Sequence, residues 1–357
     1  MPAERTSEIG SEFHWDPAAL LESGRGGLPG WLPERRELFA TGCGALSELL
    51  RRLAPAGRLH VPSYFCMGVA EHLSRQVPVA WYRHLPDTGG VRWGTLRPGP
   101  GDVVLTQNLF GREDGAPWTA WITEHPGVTV IEDHSHDPFS DWARDSVAHY
   151  AVASLRKTLP LPDGGLLWSP RGLELPRPVD GGSAGADLKL AAMLLKAAWR
   201  DGQPVPKDHF RTLQQQGEHQ LLGSAAAAHA VTAAVLPLLD ISAVRQASAR
   251  NSTQLGALLA SRTKWEVLGS GGFRLQLLCS SAASRDGLLA HLAQHGIYAP
   301  VHWRQGRSGF WSGDAEAADL AGRMLTLPAD HRCGPGDLLR MVETIDGFAR
   351  MDLSGVL

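Results

Sequence analysis

Short apolar runs recur through the first half of the chain, and each gives way to glycine, proline or polar residues and then to a stretch with helical spacing. They lie at 77–82 (VPVAWY), 102–106 (DVVLT), 127–132 (GVTVIE) and 148–154 (AHYAVAS). Runs bounded in this way, with helical segments between them, fit parallel strands buried on both faces rather than a half-exposed antiparallel sheet. The pattern predicts an α/β fold: a mostly parallel sheet with helices on both faces. Two earlier segments repeat the motif. RELFATGCGALSELLRRL (36–53) breaks at Gly42 and Gly44 and continues with Leu46, Leu49, Leu50 and Leu53 at helical spacing. RLHVPSYFCMGVAEHL runs as a strand to Val61, breaks at Pro-Ser, and enters a helix.

From about 186 to 262 the chain reads as helical, including the alanine-rich stretch SAAAAHAVTAAVLPLL at 224–239. Beyond it, WEVLGSGGFRLQLLCS reads as two short strands about a glycine turn, and RDGLLAHLAQHGIYAPVHW as a helix stopped by Gly296 and followed by a strand. The expected organisation is an N-terminal segment over 1–30, a large domain over 31–240 and a small α+β C-terminal domain over 241–357. A chain of 357 residues is long enough for two cores.

Charge and composition narrow the partners. A net charge of −3 offers no broad field for nucleic acid or an anionic membrane, and neither is expected. The apolar run at 224–239 contains His229 and Pro237 and is too short to span a bilayer. The first residues hold two early glutamates and no apolar core, so no secretory signal is read and a cytoplasmic location is expected. Cys43, Cys66, Cys279 and Cys333 have neither metal-site nor disulfide-framework spacing and are read as reduced, mostly buried thiols. The cluster EDHSHD (132–137) has side chains that suit zinc or iron, but no metal is expected there.

In open α/β sheets ligands sit outside the carboxyl ends of the strands. Four such ends carry polar or glycine groups: Thr41-Gly42-Cys43-Gly44, Asn108, Asp133 to His136, and Ser154 to Lys157. A glycine turn opening a helix suits a phosphate, because its amides and the helix dipole favour an anion. Asp133 emerges from a buried run, so its carboxylate needs a cation or hydrogen bonds. Lys157 follows another strand end beside Arg156; burial and a like charge both lower an amine pKa and favour attack on a carbonyl. Arg156 is expected to bias the charge there.

With these segments in view, the chain resembles a fold-type-I enzyme of the aspartate aminotransferase superfamily, in its DegT-like branch of sugar aminotransferases. The matching stretches are LFATGCGALSELL, VPSYFCMGVAEHL, GDVVLTQNLFG, VIEDHSHDPFSDW, AHYAVASLRKTLPLPDGGLLW, HGIYAPVHW and RMLTLPAD, in family order over most of the chain. The resemblance implies pyridoxal 5'-phosphate (PLP) as cofactor, in Schiff-base linkage to Lys157, with Asp133 on its ring nitrogen. It further implies His136 at the 3'-oxygen, the Gly42, Cys43 and Gly44 amides with Ser154 at the phosphate, and Asn108 in the cofactor site. Tyr64, Phe65 and Cys66 stay open as the ring-stacking position. HFRTLQQQGEHQL stands where the family has a loop that a partner subunit inserts. The function implied is transfer of an amino group between a small-molecule amino donor and a carbonyl acceptor, by a homodimer. The alternative is non-transaminating chemistry at Cα: decarboxylation, elimination, retro-aldol cleavage or carbon–carbon bond formation. Arg274, Arg304 and Arg307 are the candidates for holding a substrate carboxylate, since a guanidinium fork matches its two oxygens.

Overall fold

The computed structural model describes residues 8–20, 27–86, 89–179, 181–263, 265–269, 272–305 and 309–354. Two compact units emerge. One comprises Glu12–Arg83 and Arg92–Ser242; the other comprises the chain up to Ser11, His84–Val91 and the chain from Ala243 onward.

After a short β1 (Ile9–Gly10), which belongs to the second unit, the first unit is built on seven strands. These are β2 (Arg36–Phe39), β3 (Leu59–Pro62), β4 (Val79–Tyr82), β5 (Val103–Gln107), β6 (Thr129–Asp133), β7 (Tyr150–Ser154) and β8 (Gly165–Trp168). Their spatial order is β2-β8-β7-β6-β5-β3-β4. Strands β3 to β7 pair in parallel, and β8 runs antiparallel to both β2 and β7. The connection over 155–164 is shorter than the dozen or so residues a parallel return requires, so β8 reverses direction. Strands β3, β5, β7 and β8 are buried along their whole length, which is why they lack polar alternation.

The strands feed α1 (Gly42–Leu53), α2 (Met67–Ser74), α3 (Ala116–Glu124) and α4 (Asp141–Arg144). Next come α5 (Ala184–Arg200) and α6 (Lys207–Leu221), which pack backbone to backbone. A Cβ on Gly185 would lie 2.8 Å from the Gly217 carbonyl oxygen, and one on Gly217 would lie 2.9 Å from the Gly185 carbonyl oxygen. The HFRTLQQQGEHQL stretch is therefore helix α6, held against α5 at a glycine contact.

The alanine-rich stretch departs from expectation. Helix α7 begins only at Ala230 (Ala230–Val235), and the preceding residues run extended beside β2. Ala40 N donates to Ala226 O at 2.8 Å and Ala228 N to Leu38 O at 3.0 Å. Ladder bonds to an existing sheet satisfy these backbone groups and outweigh the weak helical preference of alanine.

The second unit contains most of α8 (Ile241–Ala260), then β9 (Glu266–Val267), β10 (Arg274–Leu278), α9 (Ala282–Gln294), β11 (Ile297–Tyr298), α10 (Ala315–Arg323), β12 (Met324–Pro328) and α11 (Pro335–Ser354). Strand β10 lies between β12 and β9 in an antiparallel sheet, and β1 pairs in parallel with β11. Leu275, Leu277, Leu325 and Leu327 enter a core with Leu288, Leu292, Met341 and Ile345. By strand alternation Arg274, Gln276 and Thr326 occupy the opposite face of this sheet. Among the described residues no helix is long and apolar enough to cross a membrane.

Candidate active site

The carboxyl end of β2 leads into the start of α1, which Thr41 caps: its Oγ1 accepts from Gly44 N at 2.9 Å. Gly42 and Cys43 hold the first two amides of the helix, which have no intrahelical acceptor. Gly42 lies against Ser154, where a Cβ would come 3.4 Å from the Ser154 Cβ and N. The expected trio of phosphate amides is thus reduced to a pair, because the cap takes the Gly44 amide. Gly44 has a packing reason instead: a side chain there would run into the Ser224 carbonyl.

The Pro-Asp-Gly-Gly turn after Lys157 has the same explanation. Gly164 adopts φ +124° and donates from its N to Ala40 O at 2.8 Å, and any side chain at Gly165 would strike the Thr41 backbone. Asp163 is fully buried, accepting from His229 N at 2.8 Å and from the Thr232 hydroxyl. The turn is therefore clamped onto the cap of α1.

Asp133 ends β6, half-buried, with Oδ1 accepting from Ser135 N at 2.8 Å. Ser135 Oγ in turn accepts from Ser154 N at 2.9 Å, so one serine ties the end of β6 to the end of β7. Lys157 closes the short 3-10 helix Leu155–Lys157 directly after Ser154. The Cys43 thiol belongs to this junction, since the neighbouring Gly42 packs on Ser154. Burial pushes the thiol up to about 12, the neighbouring Cys66 adds to this, and the charges of Lys157 and Asp133 act on it in opposite directions. Residues far apart in sequence therefore meet at one helix start.

His136 lies half-buried with Nδ1 accepting from Phe110 N at 2.9 Å. Phe110 stacks on the imidazole at 5.5 Å and 8°, and Tyr64 meets Phe110 edge-on at 6.4 Å. Phe110 has φ +58° and Gly111 φ +73°, a left-handed pair that turns the loop after β5 back onto His136. Sequence reasoning missed Phe110, since no spacing rule marks a phenylalanine that adopts this conformation.

Three expectations change. Asn108 is buried, its amide bonded to Ser140 Oγ at 3.1 Å and to Glu113 N at 3.1 Å, so it braces the loop rather than facing a ligand. Tyr64 and Phe65, at 0% and 2% exposure, belong to the core; Cys66, the N-cap residue of α2, is the half-buried member of that trio. Arg156 forms an ion pair with Glu218 at 2.7 Å, so its charge is compensated where a bare like charge was expected.

In the second unit, Arg274 Nη1 bonds His302 Nε2 at 3.2 Å, and His302 Nδ1 bonds Thr326 Oγ1 at 2.9 Å. Burial lowers the Arg274 pKa, Asp330 opposes that and Arg332 adds to it. Arg304 Nη2 pairs with Asp286 Oδ1 at 3.0 Å. Arg307 lies outside the described residues. Glu132 and His134, from the EDHSHD cluster, pair with each other at 2.9 Å in full burial. Among the described residues no three metal-ligating side chains are gathered.

No family model matches the chain, and no curated protein matches it by sequence. Solved structures do. A protein assigned as a sugar aminotransferase from Streptococcus pneumoniae, in its PMP form, superposes with a TM-score of 0.67 at 14% identity, covering 98% of this chain and 99% of that one. A DegT/DnrJ/EryC1/StrS aminotransferase from Brucella abortus gives 0.60 at 19% identity over 91% and 92%. DesI, in the presence of its TDP-sugar product, gives 0.61 at 18% over 90% and 82%. The fold is PLP fold type I. In this fold type I chain, the residues at the start of α1 and at the ends of β6 and β7 fit that cofactor chemically. Helix-start amides and Ser154 suit a phosphate, an acid suits a pyridinium, and an amine suits an aldehyde.

Proposed function

We propose that the protein is a PLP-dependent aminotransferase that moves an amino group between an amino acid and a carbonyl substrate. The observation that carries this reading is the meeting of three segments: Gly42 at the α1 start packs on Ser154, Ser154 N donates to Ser135 Oγ and Ser135 N to Asp133 Oδ1, and Lys157 stands on the turn directly after Ser154. Bound there, the cofactor would supply an aldehyde reactive toward amines and a ring that accepts electrons from the substrate Cα. The Gly42 and Cys43 amides and the Ser154 hydroxyl hold the phosphate oxygens, assisted by the helix dipole. Asp133 accepts a hydrogen bond from the protonated ring nitrogen and keeps the proton there. Because His136 Nδ1 is an acceptor, its proton sits on Nε2, which is then a donor suited to the ring oxygen. Lys157 carries the proton to and from the substrate Cα, and Arg274 holds the donor carboxylate.

Among the structural neighbours one is assigned as a sugar aminotransferase and DesI is solved in the presence of its TDP-sugar product, so a keto sugar is the acceptor class to try first. We further propose a homodimer, supported by the exposed Val179, Leu194, Leu222 and Leu238, at 49–54% exposure. A monomer by sedimentation with full activity would contradict that assembly. The central test is a half-reaction: glutamate converts the yellow aldehyde form of the bound cofactor to the amine form. Loss of the substrate carboxyl or side chain, with no amine form produced, would replace this reading with non-transaminating chemistry. Borohydride should fix the cofactor on Lys157, and Lys157→Ala should abolish the adduct; an adduct on another lysine overturns the assignment.

A further inference from the structure

Arg156 and Lys157 are adjacent in sequence, and like charges repel. The fold separates their fates. Arg156 reaches α6, where Nη2 meets Glu218 Oε1 at 2.7 Å. The second Glu218 oxygen meets Lys189 Nζ of α5 at 2.9 Å, and Lys189 also bonds Glu12 Oε2 at 2.7 Å. Lys196 Nζ completes the row on the Glu12 carbonyl at 2.6 Å. Signs alternate along this chain, and Lys189 is only 4% exposed at its side chain, so it is more than a loose surface pair.

Glu218 is the hinge of the row. Burial works to raise its pKa, but Arg156 and Lys189 outweigh that and hold the carboxyl down at about 2, so it stays ionised under working conditions. Asp163 and Glu12 are the other anions acting on Arg156, while Cys43 and Asp133 lie on the cofactor side near Lys157. The Arg156 Nε is buried with no acceptor among the described residues, so Glu218 makes a one-point hold on the guanidinium rather than a fork. Gly217 sets the register: a Cβ there would meet Lys189 Cγ at 2.9 Å and displace the residue that follows it, Glu218.

We propose that Glu218 is a positioning residue for Lys157: it draws Arg156 toward α6, fixes the 155–157 turn and keeps the guanidinium charge compensated beside the amine. The proposal rests on the reading above in which Lys157 is the reactive amine. It concerns this chain's own α5–α6 hairpin and requires no cofactor to be observed.

The test uses the full-length, cofactor-free protein. Acetic anhydride labelling is run across pH and read at Lys157 by mass spectrometry, which gives the midpoint of amine deprotonation. In Glu218→Gln, the uncompensated Arg156 should lower that midpoint by about one pH unit, the size expected of a unit charge roughly 10 Å away at protein-like dielectric. The double variant Arg156→Met/Glu218→Gln should return it to near the wild-type value, and Glu218→Asp should keep most of it. An unshifted midpoint in folded Glu218→Gln overturns the proposal, as does an equal shift in single and double variants. Should Glu218→Gln fold poorly, Arg156→Met alone carries the test: it leaves the Glu218 carboxylate without its guanidinium, so the midpoint should rise by about one pH unit, and an unchanged midpoint overturns the proposal. Failure of borohydride fixation at Lys157 would sink the functional reading and leave this labelling result standing.

Discussion

The backbone N–H of Phe110 donates to His136 Nδ1 at 2.9 Å, while its own ring lies parallel to the imidazole at 5.5 Å. One residue therefore fixes both the tautomer and the plane of the histidine. His136→Phe keeps a flat ring against Phe110 but removes the Nε2 donor. PLP affinity should fall about 10-fold, the worth of one hydrogen bond to a charged oxygen, and the melting temperature should fall by a few degrees, because the Phe110 N–H loses its acceptor. An absorbance titration of the cofactor-free protein measures it; unchanged affinity would remove His136 from the site.

Asp133→Asn separates charge from geometry. The asparagine Oδ1 can still accept from Ser135 N, so the link through Ser135 to Ser154 should survive. The variant should bind some PLP and lose most of its turnover, because a neutral amide does not hold the ring nitrogen protonated. Wild-type turnover in steady-state kinetics would refute the pairing.

Arg274→Leu should raise KM for the amino-acid donor by about 10-fold or more, the loss expected for charge-assisted hydrogen bonds to a carboxylate, while PLP affinity stays unchanged. The His302–Thr326 bond remains available to hold the histidine in place. Untouched donor kinetics with a lowered melting temperature would make Arg274 a member of the Asp330–Arg332 charge cluster and nothing more.

Asp330 pairs with Arg332 through two contacts of 2.8 Å, Nε to Oδ1 and Nη2 to Oδ2. Burial pushes the carboxyl up, but Arg332 overcomes it and holds the carboxyl far below its usual 3.8. A depressed carboxyl contributes stability that is present above the ordinary value and is lost as pH falls toward the folded one. Stability should therefore decline below about pH 4, and Asp330→Asn should flatten that decline while costing about 3 kcal/mol at neutral pH, since it leaves a guanidinium poorly paired. Denaturant melts between pH 2 and 7 check both; an unchanged acid slope would show that Asp330 does not govern it.

The sequence by itself determined the α/β class and the strand ends at which Asp133 and Ser154 stand. Buried strands and amphipathic helices follow from local hydrophobic periodicity, and strand ends follow from glycine, proline and polar breaks, all within a few residues of one another. The tertiary structure decided everything that depends on a distant partner. The alanine run before Ala230 is extended because β2 offers it ladder bonds; Gly44 and Gly165 are glycines because the Ser224 carbonyl and the Thr41 backbone press on them. Tyr64 and Phe65 are core, Asn108 braces a loop, and Arg156 is held by a glutamate from α6. A residue's local pattern records its own conformational preference, whereas its hydrogen-bond and charge partners are chosen only when remote segments are packed together, at energies larger than any local propensity.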